Sequence, residues 1–125
     1  MLILTRRQDE VIRIGPDIAV TVLDLQRDVV TVQVDYPAGL LLKAATFEIR
    51  QGSDLGPASA TPISTPARLR ATVVLRIEDT FWIGDQIMVK VVGFPTVSAV
   101  QLGLQAPREL AITRDEYTPG NQGST

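Results

Sequence analysis

The chain has 125 residues, 45% of them hydrophobic, a formal charge of −2 and an isoelectric point near 5.0. One core can be buried, whereas two independent cores of about 50 residues each would be marginal, because small domains bury too little surface. The absence of cysteine and histidine excludes a disulfide framework, a thiolate nucleophile, the commonest general base and the usual zinc ligands, so no cofactor is expected.

Met1-Leu2-Ile3-Leu4 is apolar and Arg6-Arg7 follow it, the reverse of a secretory signal. No stretch approaches the roughly 20 apolar residues of a membrane span, so a cytoplasmic protein is expected. Gly15-Pro16-Asp17 marks a turn, and Ala19–Leu23 is apolar and β-branched, as in a strand. Leu25–Asp28 reads as a hairpin loop. Val30–Asp35 alternates apolar and polar residues, the period of a half-buried strand. Leu40-Leu41-Leu42 reads as a buried strand or as an exposed patch for a protein partner. Ala45–Arg50 suggests a short helical turn. Gln51–Pro66 is rich in Gly, Ser, Pro, Ala and Thr, a linker composition with a typical span of about 20–25 Å.

The pattern then starts again. Ile83-Gly84-Asp85 repeats Ile14-Gly15-Pro16, Val89–Val92 repeats Val20–Leu23, and Arg76 repeats Arg7. Val100, Leu102, Leu104 and Pro107 repeat Val30, Val32, Val34 and Pro37. The offset is about 69 residues early and about 70 later, which places one inserted residue near Gly93-Phe94-Pro95. Gly93–Thr96 reads as the second hairpin loop and Arg114–Tyr117 as a second helical turn. The expected organisation is a first repeat over 1–50, a linker over 51–66, a second repeat over 67–118 and a disordered tail over 119–125. The carboxylate pairs Asp9-Glu10 and Glu78-Asp79 occupy equivalent turns without histidine partners and read as solvated loop charges. No Gly-rich phosphate loop or nucleophile elbow is present, so an enzyme is not expected.

The segment Met1-Leu2-Ile3-Leu4-Thr5-Arg6-Arg7, with Glu10, Ile14-Gly15 and Val20–Leu23, resembles the carbon storage regulator family of bacterial RNA-binding translational regulators. Gly103–Glu116, with its Ala106-Pro107-Arg108-Glu109 and Arg114-Asp115-Glu116 frame, resembles the other end of that family's pattern. The resemblance implies an all-β fold, in which two five-stranded repeats interlock around one core as a monomeric pseudo-dimer. It also implies a GGA-containing RNA hairpin loop as ligand, repression of translation, and a protein antagonist as a further partner.

In such a fold the first strand of one repeat lies beside the last strand of the other, and together they form an RNA site. One composite holds Leu4, Thr5, Arg6 and Arg7 with Arg108, Leu110, Ile112 and Arg114, each at a position the family uses for RNA. The other departs from the pattern: Leu75 precedes Arg76, Ala44 follows Lys43 where an arginine belongs, and the Ala-Pro turn has become Tyr36-Pro37. That second site is expected to bind RNA weakly or not at all. A rival reading is a protein-binding module of the same fold whose RNA binding is reduced or lost, for example one regulated by or acting on a flagellar-assembly-type partner, and the altered site is alternatively an interface for further association. Trp82 is expected to pack at the core or its rim, away from the site.

Overall fold

The computed structural model describes residues 1–54 and 68–115. The rest of the expected linker, Tyr117 and the tail lie outside the described residues. The first repeat forms β1 (Leu2–Arg6), β2 (Val11–Ile14), β3 (Ile18–Gln26), β4 (Val29–Pro37) and β5 (Leu42–Ala44). A two-residue strand, β6 (Ser53–Asp54), follows. The second repeat forms β7 (Arg68–Arg76), β8 (Thr80–Ile83), β9 (Ile87–Thr96), β10 (Ala99–Gln105) and β11 (Ile112–Asp115).

The strands form two antiparallel sheets, and each sheet draws on both repeats. One has the order β1-β10-β9-β8-β5 and the other β11-β2-β3-β4-β7-β6. The three middle strands of each repeat are thus flanked by the outer strands of the other. The longest cross-repeat ladder, β4 on β7, runs from Val29↔Arg76 to Pro37↔Arg68. The all-β, interlocked architecture is the one expected, with β6 as an added sixth strand.

Period-2 alternation positions the core. In β4, Val30, Val32, Val34 and Tyr36 are buried; in β10, Val100, Leu102 and Leu104 are. These side chains join those of β2, β3, β7, β8 and β9 in a single cluster spanning both sheets. A one-residue slip in any ladder would turn its valines outward, so burial specifies the register.

The repeat is visible in the turns. Gly15 and Gly84 have φ of +64° and +72°, a region that disfavours side chains, and Leu110 and Leu40 close over them. Glu10 and Asp79 each accept a hydrogen bond from a main-chain N–H, that of Arg7 or Arg76, at 2.8 Å. The carboxylate pairs therefore brace the turns after β1 and β7 and are more than solvated charges.

Three local expectations are corrected. Residues 45–50 form no helical turn; Phe47 and Ile49, two apart, pack against the core instead, which a single helical turn would not allow. Arg114 and Asp115 belong to β11, because β2 offers them a ladder. The hairpin loops are shorter than expected: β3 continues to Gln26 and β9 through Gly93–Thr96, leaving Arg27-Asp28 and Val97-Ser98 as the turns. Leu23 and Val92 are equivalent bulges. A further register shift lets β9 pass from Gly93 to Thr96 while β10 passes only from Gln101 to Ala99, which accommodates the inserted residue.

Interlocking has a direct test. A chain cut between Leu55 and Ala67 should keep its two fragments together on size-exclusion chromatography without denaturant. Separation into two folded fragments would contradict the cross-repeat pairing.

Candidate nucleic-acid interface

The strands expected to form the RNA site are not ladder partners. β1 pairs with β10, and β11 pairs with β2, so each is an outer strand of a different sheet. What brings them together is the short turn from β1 into β2. Arg6 at the end of β1 donates from Nη1 to the carbonyl of Val11 at the start of β2, at 3.5 Å. In the β2–β11 ladder, Val11 faces Asp115 and Ile12 faces Arg114. The C-terminal ends of β1 and β11 therefore converge at one side of the sandwich, termed the first side.

Cross-strand partners share a face, which sorts the site residues. Arg6 lies opposite buried Val100, and Arg114 opposite buried Ile12, so both guanidinium-bearing side chains start from the inward face of their strand. Leu4 and Ile112 share that inward face, and both, with Leu110 over Gly15, are partly buried against the core. Thr5 and Arg7 are exposed on β1 and just after it, and Arg108 and Arg114 are exposed on the second repeat.

Arg6 differs from its neighbours because it is only 2% exposed. Its Nε donates to the carbonyl of Thr5 at 2.8 Å, and Nη2 lies 3.6 Å from the carboxylate of Glu10. A buried guanidinium needs such partners, since an unpaired buried charge is costly. Placed this way it ties the end of β1 to the turn and to β2. The sequence pattern grouped Arg6 and Arg7 as one basic pair; their alternation along the strand was the signal that separates them.

The opposite side of the sandwich, the second side, is built from β5 and β7. Leu75 takes the place of Arg6 and is fully buried, so an apolar side chain fills what is a cation's position on the first side. Ala44 stands opposite buried Phe81 in the place of Arg114. Arg76 remains exposed. Lys43 is engaged with Asp85, whose carboxyl is held below its usual range by the hydrogen bond from that ammonium and by its charge. Leu40-Leu41-Leu42 is neither wholly buried nor a patch: Leu42 is buried, Leu41 is exposed, and Leu40 covers Gly84. Trp82 is half-buried on β8, opposite Lys43 of β5, and lines a cavity with Met88, Ala106 and Pro107.

The two arginines at the start of the site should separate in stability measurements. Arg6→Ala removes a buried, paired group and should cost about 1–3 kcal/mol in urea unfolding. Arg7→Ala should stay within about 0.5 kcal/mol of the parent, as surface changes do. Equal effects would contradict the assignment of Arg6 to the interior.

Comparison with known proteins adds an independent line. The pattern of the CsrA Global regulator protein family matches residues 1–41 and 73–119, well over half of the chain and one segment in each repeat. The chain is similar to the Translational regulator CsrA of Leifsonia xyli subsp. xyli, 38% identical over 65 residues, covering 47% of this chain and 76% of that protein. No solved structure matches.

Proposed function

The chain belongs to the CsrA Global regulator protein family, and on that premise we propose that it is an RNA-binding regulator of translation with one working RNA site. The family is one of regulators, and the relative is by name a translational regulator. The observation that carries the reading is the asymmetry of the two sides. On the first side Arg7 and Arg114 are exposed where two outer strands converge and Arg108 is exposed ahead of the second of them, while the second side has Leu75 and Ala44 where the first has arginines.

The ligand is a single-stranded GGA element held in a hairpin loop near a ribosome-binding site, and its occupation represses translation. Loop bases have free edges that main-chain groups of β1 and β11 can meet, while arginine supplies bidentate or stacking contacts that lysine does not reproduce. Arg7 and Arg108 meet phosphates, Arg114 meets a base or phosphate, and Thr5 lines the path. Leu4, Leu110 and Ile112 set the strand positions from the core side. Arg6 acts as a positioning residue, holding the end of β1 in place. One chain supplies both halves of the site, so the working form is a monomer.

A protein partner is the second reading. Met1, Leu2 and Ile3 are 63%, 43% and 48% exposed on the outer strand of one sheet, where an antagonist could add a strand and cover the RNA site.

Binding of a short GGA hairpin, measured by gel shift against a scrambled loop, should show 1:1 stoichiometry. Arg114→Ala and Arg7→Ala should each weaken it by about 1–3 kcal/mol, roughly five- to 150-fold. Two or three arginine–phosphate contacts would give a log–log salt slope of about −1.4 to −2. Unchanged affinity in both variants would remove the first side as the RNA site.

A further inference from the structure

The start of the expected linker is not free chain. The Gln51 side-chain amide docks on the main chain of Leu42 in β5: Oε1 accepts from the Leu42 N–H at 2.9 Å, and Nε2 donates to its carbonyl at 2.8 Å. Gly52 donates its N–H to the hydroxyl of Tyr36 at 2.7 Å. It lies so close to β7 that an added Cβ would sit 2.7–2.8 Å from the main chain of Arg70. Ser53 and Asp54 then pair with Arg70 and Leu69 as β6. In four residues the chain crosses from the outer strand of one sheet to that of the other.

Those two strands, β5 and β7, are the ones that would form the second RNA site. We infer that Gln51–Asp54 is a built-in occupant that closes the β5 half of the second side by taking the main-chain groups of Leu42, the equivalent of Ile112, that a nucleic acid would need there, while it anchors on the start of β7. The arginine losses are then only part of the difference between the sides. Tyr36 supports this. It is fully buried, its hydroxyl needs a partner, and the segment supplies it. The equivalent residue of the second repeat is Ala106, which has no hydroxyl. The family match also stops at residue 41 and resumes at 73, so β5, the occupant and the part of β7 that it covers form one divergent block.

The RNA arm of the test rests on the function proposed above; the exchange arm does not. Four full-length chains are compared: the parent, Ala38→Arg/Ala44→Arg, which places arginines at the equivalents of Arg108 and Arg114, Gln51→Ala/Gly52→Val, which unseats the segment, and the combination of all four changes. Hydrogen exchange at the Leu42 amide should be slow in the parent and at least tenfold faster in both unseated chains, with core amides unchanged. Native mass spectrometry with a short GGA hairpin should give one RNA per chain for the first three and two for the combination. The inference is overturned if the Leu42 amide exchanges equally fast in the parent and the unseated chain. It is equally overturned if the arginine pair alone yields two bound RNAs, or if the fully unseated combination still binds one. A parent that binds no RNA would instead refute the proposed function, leaving the closure to stand or fall on the exchange result.

Discussion

The pairing of outer strands across repeats is the constraint on which the rest of this structure depends. Neither repeat has a complete sheet of its own. Its middle strands, β2–β4 or β8–β10, gain their flanking ladders only from the other repeat, and the valines they turn inward share one cluster. A core of this size is within reach of 125 residues, whereas two separate cores would bury much less apolar surface. The same pairing decides where function can sit. Each outer strand ends beside an outer strand of the other sheet, so each side of the sandwich is a composite of both repeats.

Covalent linkage lets the two composites differ, and the difference is chemically coherent. At the first side a buried guanidinium is balanced by Glu10 and main-chain carbonyls, and Arg7 and Arg114 are exposed. At the second side Leu75 fills the equivalent interior position without needing a counterion, Ala44 removes the exposed cation, and the chain's own Gln51 takes up main-chain hydrogen bonds. The net charge of −2 does not by itself oppose the RNA binding proposed for the first side. Local clustering, rather than total charge, sets the attraction for a polyanion.

Much of this was legible in the sequence because β structure writes itself with period 2. Val30–Asp35 and Val100–Gln105 could be read as half-buried strands, and their spacing revealed the repeat. The paired arginines were read by residue type instead of by face, which hid the fact that Arg6 points inward and Arg7 outward. Ala45–Arg50 looked helical because propensity is local, while the burial of Phe47 and Ile49 depends on distant strands. Gln51-Gly52-Ser53-Asp54 looked like linker because its role lies in an amide, a missing Cβ and a two-residue ladder, none of which has a compositional signature. Tyr36 in place of alanine was the one visible trace of that contact.

In the proposed function a single composite side, made of β1 and β11, receives RNA. The most direct measurement is an amide chemical-shift titration of the full chain with a short GGA hairpin. Shifts should concentrate at Thr5–Arg7 and Arg108–Arg114 and saturate at one equivalent, with Leu42–Ala44 and Val74–Arg76 unmoved. Equal shifts on both sides, or shifts confined to the second side, would contradict it.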